Sequence, residues 1–479
     1  MKVLFAAAES APFFKTGGLG DVVGALPKAL VRKGYDVRVI LPCYGTMPEK
    51  YKDMLQEVVH FNLEMGWKSS YCGIKRLILE GVTYYFIDNH SYYNREQCYG
   101  YWDDGERFAF FSMAVCEAME KIDFIPDIVH AHDWHVAMIP VLLVHKYHWV
   151  QAYRHIRKIF TIHNLQFQGV YDPILLESLF GIGYDVYRED GVKYYDRMNF
   201  LKGGINYSDR VTTVSPSYAH EIQTPEFGEG LDEVLRYNQW KIRGIINGID
   251  TELNNPKKDP LIACTYDARS LRSKRKNKTA LQERLGLTVD EDVALIGMVT
   301  RLTDQKGIPL VLEALPKLIA KKVQLVILGT GDPGHEHALQ EFAHNNPKKV
   351  SVIVNFDLAL AQNIYAGGDI FLMPSAFEPC GLSQMIAFRY GCVPLVHETG
   401  GLRDTVIPYN LYTGEGTGFS FYDFTGEALL QVLDAALQVY YDNPEQWKAL
   451  FRKGMKQDFS WNASVHLYED LYQELLTEK

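Results

Sequence analysis

Two cations stand five residues apart in one short polar loop, Arg301 and Lys306. The loop follows an apolar run at 293–299 that the pattern predicts as a buried strand. Two fixed positive charges suit a diphosphate and would stabilise the negative charge that grows on a departing one. A carboxylate, Glu378, follows another predicted strand at 369–373 and precedes a helix. The helix dipole alone would explain a carboxylate there, but its place between a strand end and a glycine turn favours a ligand contact.

A pair of glycines occurs twice in nearly the same setting. The hexapeptides at 16–21 and 399–404 agree at five of six positions, and each follows a predicted strand, 3–8 or 392–396. Adjacent glycines let the backbone approach a ligand closely, and their N–H groups can point at a phosphate. We interpret the repeat as one glycine turn in each of two similar domains that face a shared cleft. Two ordinary strand-to-helix turns are the alternative.

Composition excludes several classes of protein. A chain of 479 residues with 47% hydrophobic and 23% charged residues suggests two or three globular domains. Its 49 basic and 59 acidic residues argue against nucleic acid as a partner. We interpret the one basic run, 274–278, as a solvated helix start.

Cysteine usage and hydropathy predict a cytoplasmic protein. The seven cysteines show no metal-ligand spacing, which favours reduced thiols. No apolar run approaches the ~20 residues that span a membrane. The run at 3–8 imitates a signal peptide but leads into a strand–helix unit, so we expect a buried first strand.

Alternating strands and helices predict two doubly wound α/β domains with a boundary near 247–250. We expect a helix at 21–33, with Asp21 as its N-cap and a kink at Pro27. Residues 165–200 show weak periodicity and suggest loops. The other predicted strands are 37–41, 77–79, 82–87, 127–129, 158–162, 210–215, 323–328 and 350–354, and the other predicted helices are 107–121, about 307–320, 383–390 and those within 426–476.

Six tyrosines and one tryptophan crowd into 84–102, and their role is open. They could form a surface that stacks on sugars, or they could pack a loop against the domain. Two further motifs are weak. The acidic triplet 290–292 precedes a strand, so we assign it to the surface. Residues 329–332 lack the full dinucleotide-binding fingerprint.

Five motifs, in order along the whole chain, carry a resemblance to a known family. They lie at 15–19, 130–135, 161–165, 301–306 and 378–382, the last leading to 399–402. In these motifs the chain resembles the bacterial glycogen synthases and the plant starch synthases, which are retaining glucosyltransferases of the GT-B fold.

The resemblance implies a fold of two Rossmann-like domains facing a deep cleft. Residues 1–245 would form the domain on the acceptor glucan side, and 246–455 the domain that binds ADP-glucose. The final helix, within 456–479, would cross back to the N-terminal domain. The domains would close on substrate by a hinge.

The resemblance also implies a reaction. ADP-glucose would donate glucose to the non-reducing end of an α-1,4-glucan such as glycogen, and ADP would leave. No metal or other cofactor, nucleic acid or membrane would take part. Retention of configuration would follow from a carboxylate nucleophile or from front-face attack, in which the leaving phosphate takes the acceptor's proton. The family usually favours the second route.

By the family pattern, Arg301 and Lys306 hold the diphosphate, and Glu378 and His163 lie beside the transferred glucose. Asp133 would contact the glucose or the acceptor hydroxyl. The implied substrate-binding residues are Lys15, Gly17, Gly18, Asp21, Asn164, Asn247, Phe356, Cys380, Gly381, Leu382, Thr399, Gly400 and Gly401.

Two positions depart from the pattern of the wider GT-B group. Ile386 stands where many relatives have a second glutamate for the ribose. Phe356 stands where some relatives have a tyrosine on the adenine, so stacking survives and a hydroxyl contact does not.

Three alternatives compete with this interpretation. One is another enzyme of the same fold, such as a nucleotide-sugar epimerase, a lipid-directed transferase or a transferase for another nucleotide-sugar. A second is a catalytically weak glucan-binding protein, which would be expected to lose Lys15, Arg301, Lys306 or Glu378. A third is a phosphorylase, but no segment matches that family's pyridoxal phosphate site.

Overall fold

The computed structural model describes residues 1–478, and the chain divides into two compact units. The first comprises Met1–Asn247 and the residues from Trp461 onward, and the second comprises Gly248–Ser460. The expected boundary after residue 245 lies two residues from the first division. The expected boundary after residue 455 lies five residues from the second.

The strands are β1 Lys2–Ala6, β2 Asp36–Pro42, β3 Gln56–Met65, β4 Lys68–Leu79, β5 Val82–Asp88, β6 Ile128–His132, β7 Arg157–Ile162, β8 Val170–Tyr171, β9 Lys193–Tyr194, β10 Arg197–Asn199, β11 Arg210–Thr213, β12 Ile242–Gly244, β13 Ala294–Val299, β14 Val323–Gly329, β15 Val350–Val354, β16 Ile370–Met373, β17 Val393–His397 and β18 Phe419–Phe421. The helices are α1 Gly18–Arg32, α2 Glu49–Lys52, α3 His90–Tyr93, α4 Asp104–Lys121, α5 Met138–His145, α6 Leu175–Ser178, α7 Phe200–Tyr207, α8 Pro216–Glu221, α9 Asp232–Tyr237, α10 Leu271–Arg284, α11 Ile308–Ile319, α12 Pro333–Asn345, α13 Leu358–Gly367, α14 Ser383–Arg389, α15 Gly400–Thr405, α16 Gly426–Asp442, α17 Pro444–Met455 and α18 Trp461–Thr477.

A nine-stranded sheet organises the first unit, in the order β12-β11-β7-β6-β1-β2-β5-β4-β3. Its strands are parallel from β12 to β5, and the hairpin of β3 and β4 adds an antiparallel edge. Strand β3 was not predicted, and β4 is longer than the segment 77–79. A small antiparallel sheet, β8-β10-β9, lies within 165–200, where loops were expected.

The sheet of the second unit is entirely parallel, in the order β15-β14-β13-β16-β17-β18. This order, 3-2-1-4-5-6 in sequence, is typical of doubly wound domains. Both units therefore confirm the predicted fold class.

Helices cover both faces of the second sheet because its strands are apolar on both sides. Successive residues of a strand point to opposite faces. Ile296 accordingly joins a buried cluster with residues of α11 and α16, whereas Leu295 joins another with residues of α13. Polar side chains in this sheet are thus confined largely to the strand ends.

Helix α1 begins earlier than predicted, so the assignment of Asp21 as its N-cap is wrong. Gly17 occupies the N-cap position. Asp21 lies in the first turn, where the helix dipole still stabilises a carboxylate. Glycine has a low helix propensity, so Gly18 and Gly20 argue against a helix in this first turn. Leu19, between them, is nevertheless buried and anchors the turn. The helix continues through Pro27 to Arg32.

The basic run at 274–278 is not a solvated helix start. Lys274 and Lys278 are buried on α10. Lys278 Nζ forms an ion pair with Asp369 Oδ2 at 2.7 Å, and Lys274 Nζ donates to the Ala366 carbonyl at 2.8 Å. Burial lowers the pKa of the Lys274 ammonium to about 8. Each ammonium group thus has a partner more than 80 residues away, which a local sequence pattern does not reveal.

Helix α18 packs on the first unit, against α1 and the sheet. The hydroxyl of Tyr472 lies 2.8 Å from His130 Nδ1, and Glu474 pairs with Arg243 at 2.5 Å. The end of the chain therefore contributes to the core that surrounds β6.

Most of the aromatic residues in 84–102 pack inside the domain and do not form a surface for sugars. Tyr84, Tyr85, Tyr92 and Tyr93 are buried and pack within the first unit, whereas Trp102 is 93% exposed. All seven cysteines are free thiols. Within residues 1–478, the helices are too short or too polar to cross a membrane.

Candidate functional site

Except for Asn247, the candidate residues of the first unit follow β1, β6 and β7, at the carboxyl ends of neighbouring parallel strands. The chain reverses its direction of winding here, because β1 pairs with β2 on one side and β6 on the other. Ligands of doubly wound sheets bind at such a switch point.

A buried carboxylate, Glu9, holds the loop after β1. Glu9 Oε2 accepts from the backbone N–H of Thr16 at 2.5 Å and from that of Gly17 at 3.3 Å. Glu9 Oε1 accepts from the Thr16 hydroxyl at 2.7 Å and from the hydroxyl of Tyr99. Glu9 and Tyr99 were not among the predicted site residues. A glutamate directly after a buried strand was the available signal.

The far side of the same loop is open. Lys15, Gly17 and Gly18 are exposed, and Lys15 Nζ pairs with Asp21 Oδ1 at 2.8 Å. Apart from the adjoining chain, no atom of residues 1–478 lies within 4 Å of the position that a Cβ would take at Gly17 or Gly18. The structure therefore brings Lys15 and Asp21 together and leaves the glycine backbone accessible.

Asp133, directly after β6, has a strained backbone. Its φ of 62° and ψ of 176° fall in a region that glycine favours. Asp133 Oδ1 accepts from the backbone N–H of His163 at 2.7 Å. Burial raises the pKa of the Asp133 carboxyl to about 7, against the opposing effect of hydrogen bonds from the His163 and Asn164 backbone. This carboxyl can therefore exchange a proton near neutral pH.

His163, directly after β7, is held from two sides. Besides the bond from its N–H to Asp133, its Nε2 lies 3.0 Å from Nδ1 of His132. Burial lowers the pKa of His163 to about 3, so its ring is neutral. Asn164 is half-buried, and its Oδ1 accepts from the Gln166 N–H at 3.0 Å, which turns the chain after the strand. Asn247, at the end of the first segment of this unit, is buried, and its Oδ1 has no hydrogen-bond partner among the described residues.

An ion pair between Lys306 and Glu378 lies at the carboxyl edge of the second sheet. Lys306 Nζ is 2.6 Å from Glu378 Oε2, which also accepts from the Ser375 hydroxyl at 3.0 Å. Glu378 is only 6% exposed. Arg301 is exposed, and its guanidinium donates to Gln305 Oε1 at 3.1 Å. The loops after β13 and β16 thus meet at a charged pair, and Ser375 is a partner that the sequence did not indicate.

The second glycine turn is buried, unlike the first. The N–H of Gly401 donates to the Glu378 carbonyl at 3.0 Å, directly beside the ion pair. A Cβ at Gly400 would meet that carbonyl oxygen at 2.1 Å, and a Cβ at Gly401 would meet the Cys380 oxygen at 2.0 Å. Thr399 caps α15, which begins at Gly400. The two glycines therefore let the backbone itself pack closely.

The remaining predicted residues of this unit surround the ion pair or stand apart from it. Gln384 Nε2 donates to the carbonyls of Cys380 at 3.1 Å and Gly381 at 2.9 Å, and Leu382 is half-buried beside them. Phe356 lies beyond the end of β15 and is 82% exposed. Across residues 1–478, no three His, Cys, Asp or Glu side chains are grouped so that they could hold a metal ion.

Comparison with known proteins agrees with this fold. The family described as starch synthase catalytic domain matches residues 2–237, and the family described as glycosyl transferases group 1 matches residues 282–450. The glycogen synthase of Streptococcus sanguinis (strain SK36) is 56% identical over 99% of this chain and 100% of its own length. That of Lactiplantibacillus plantarum is also 56% identical, over 99% of each chain.

A solved structure extends the similarity to three dimensions. The catalytic domain of starch synthase IV from Arabidopsis thaliana, bound to ADP and acarbose, superimposes with a TM-score of 0.92. It is 37% identical and covers 99% of each chain. Fold and sequence together define a glycosyltransferase of the GT-B fold, an enzyme that takes a nucleotide-sugar donor. More narrowly, the chain belongs to the bacterial glycogen synthase family, which confirms the resemblance found in its motifs.

Asp133→Asn should change how stability depends on pH. The folded-state pKa of about 7 exceeds the ordinary 3.8, so the stabilisation from this proton is complete below pH 3.8 and is lost as pH rises to 7. Asparagine still accepts from His163 and cannot ionise. We expect the variant to gain about 2–3 kcal/mol in free energy of unfolding, relative to the parent, between pH 5 and pH 8.

Urea unfolding at the two pH values measures this gain. Asp196→Asn, at an exposed aspartate of the same unit, is the matched control and should show no such trend. A stability difference between Asp133→Asn and the parent that does not vary with pH would contradict the raised pKa.

The two glycine turns should respond differently to alanine. Gly401→Ala forces a Cβ against the Cys380 oxygen and should lower the free energy of unfolding by about 1–3 kcal/mol. Gly18→Ala meets no atom and should change it by no more than about 0.5 kcal/mol. Urea unfolding of both variants checks the contrast, and equal losses would show that the two turns do not differ in packing.

Proposed function

We propose that this enzyme transfers glucose from ADP-glucose to the non-reducing end of an α-1,4-glucan, with retention of configuration and release of ADP. The Lys306–Glu378 pair, with Arg301 on the same loop, is the observation that carries the proposal. The Lys306 ammonium and the Glu378 carboxylate lie together at the carboxyl edge of the sheet, where doubly wound domains bind their ligands. The ADP in the Arabidopsis structure supports adenosine as the nucleoside.

In this proposal Arg301 and Lys306 bind the diphosphate of the donor. An arginine forms two parallel hydrogen bonds to phosphate oxygens, and a lysine adds a point charge. Both would bind more strongly as charge grows on the leaving group, which is the condition for a catalytic effect. The exposed ring of Phe356 would stack on the base.

Glu378 and His163 would lie beside the transferred glucose, and Asp133 would contact it or the acceptor hydroxyl. The bond from C1 to the phosphate oxygen breaks, and the acceptor oxygen forms a bond to C1. We propose the front-face route, in which the departing phosphate takes the acceptor's proton. Lys306 and Ser375 both hydrogen-bond Glu378 Oε2, which stabilises the negative charge and opposes its use as a nucleophile.

We further propose that no metal or other cofactor is needed and that the enzyme works in the cytoplasm, on the glycogen of the cell. The two side-chain cations, Arg301 and Lys306, supply the positive potential that a metal provides in other transferases. A transferase for another nucleotide-sugar and a catalytically weak glucan-binding protein are the competing proposals.

Incorporation of labelled glucose into glycogen from ADP-glucose or UDP-glucose, with and without EDTA, tests these proposals together. We expect transfer from ADP-glucose, unaffected by EDTA, to give a product whose new linkages are α by anomeric NMR signals. Transfer from UDP-glucose alone would favour the first competitor. Glycogen binding without transfer from either donor would favour the second.

Lys306→Gln should separate the proposed catalytic role of Lys306 from its structural one. Glutamine still donates a hydrogen bond to buried Glu378 but carries no charge to the diphosphate. We expect kcat to fall by about 10²–10³. The unfolding midpoint should also fall, because buried Glu378 loses its counter-charge, and thermal unfolding checks that the variant is folded at the assay temperature. Lys257→Gln, at a lysine that is 65% exposed in the same unit, is the control and should keep parental kcat. A parental rate in Lys306→Gln would remove Lys306 from the mechanism.

A further inference from the structure

Three histidine rings lie against one another at the carboxyl ends of β6 and β7. The ring of His132 stacks on His130 with centroids 4.2 Å apart, and it stacks on Phe5 at 5.1 Å. Its Nδ1 is 3.0 Å from His163 Nε2. His132 is fully buried, and His163 is 8% exposed. The contact with His163 is the one hydrogen bond that the His132 ring makes among the described residues.

Only one proton can lie between His132 Nδ1 and His163 Nε2. The surroundings of His132 Nε2 show which of the two rings carries that proton. His132 Nε2 is buried and has no hydrogen-bond partner within residues 1–478. A buried N–H without an acceptor is rarer and more costly than a buried lone pair without a donor. The proton of His132 therefore lies on Nδ1 and is donated to His163 Nε2. Burial lowers the pKa of both rings, which keeps both neutral.

This arrangement determines the tautomer of His163. Because its Nε2 accepts, the single proton of the neutral His163 ring must lie on Nδ1. We propose that His132 is a positioning residue that fixes His163 as the Nδ1–H tautomer, a hydrogen-bond donor to a hydroxyl oxygen of the bound sugar. The inference rests on the proposed function for the identity of that ligand.

His130 in turn fixes the position of the His132 ring. Both of its nitrogens are engaged, Nδ1 with the Tyr472 hydroxyl at 2.8 Å and Nε2 with the Thr161 hydroxyl at 2.6 Å. Since its orientation is set by α18 and β7, the stacked face that it presents to His132 cannot rotate freely.

The tautomers are measured directly by ¹⁵N NMR of the full-length chain labelled at histidine. Long-range ¹H–¹⁵N correlations distinguish a protonated ring nitrogen from an unprotonated one, and the signals of the pair are assigned by their loss in His132→Gln and His163→Ala. We expect Nδ1 to be protonated in both rings. A proton on Nε2 of His132 would overturn the proposal. This measurement needs no activity, so it stands even if the donor or acceptor proves to be different.

Kinetics test whether the tautomer matters for the sugar. His132→Leu removes the donor and should lower kcat/KM for ADP-glucose about tenfold. His132→Gln keeps an N–H donor and should recover most of the loss. If His132 acts through His163, the double variant His132→Leu/His163→Ala should be as slow as His163→Ala alone. Losses that multiply in the double variant would show that His132 acts independently of His163.

His145→Gln is the matched control. His145 also has a buried Nε2 without a hydrogen-bond partner in the described part of the chain, but its ring contacts Tyr207. It should keep parental kcat/KM, and thermal unfolding of all variants shows that each one folds. A loss in His145→Gln as large as that in His132→Leu would mean that a histidine away from His163 has the same effect, and the proposal would fail.

Discussion

Burial of both faces of the parallel sheets determines where chemistry can occur in this protein. In the second unit, alternate residues of β13 and β14 point into two separate apolar clusters, so neither face has room for a charged ligand site. The carboxyl ends of the strands remain, where the chain leaves the sheet and its backbone N–H groups are free of the ladder. Parallel strands bring these ends to one edge, so residues far apart in sequence become neighbours. The pairs Asp133 with His163 and Lys306 with Glu378 both arise in this way.

Three buried carboxylates lie at these edges, and each is stabilised differently. Glu9 accepts from two backbone N–H groups and two hydroxyls, and Glu378 pairs with an ammonium group. Asp133 receives backbone hydrogen bonds without a cation, and its pKa rises to about 7 because burial outweighs them. Similar side chains at equivalent strand ends therefore differ in function. Glu9 organises a loop, Glu378 neutralises a lysine, and Asp133 is suited to exchange a proton.

The fold and most of the candidate site follow from local sequence, and the exceptions share one cause. Buried parallel strands are runs of apolar residues, and the polar residues directly after them mark the carboxyl edge, so Asp133, His163 and Glu378 could be identified. Strand β3 was not predicted, because its residues are mostly exposed and pairing with β4 determines its conformation. Lys278 was misjudged because its partner Asp369 lies 91 residues further along the chain. The two glycine turns look alike in sequence for the same reason. Only the backbone that packs against each of them distinguishes buried Gly401 from exposed Gly18.

The last helix shows how far such distant partners reach. By its own pattern α18 is an ordinary amphipathic helix, and Tyr472 is one of its core residues. In the fold, the Tyr472 hydroxyl occupies one nitrogen of His130, whose other nitrogen is held by β7. A buried histidine with both nitrogens engaged cannot turn without losing a hydrogen bond, and in an apolar core that loss is not replaced by water. The ring stacked on it, His132, is thereby fixed against His163. A residue near the end of the chain thus helps to position a candidate catalytic group that lies more than 300 residues earlier, and it does so without contacting that group.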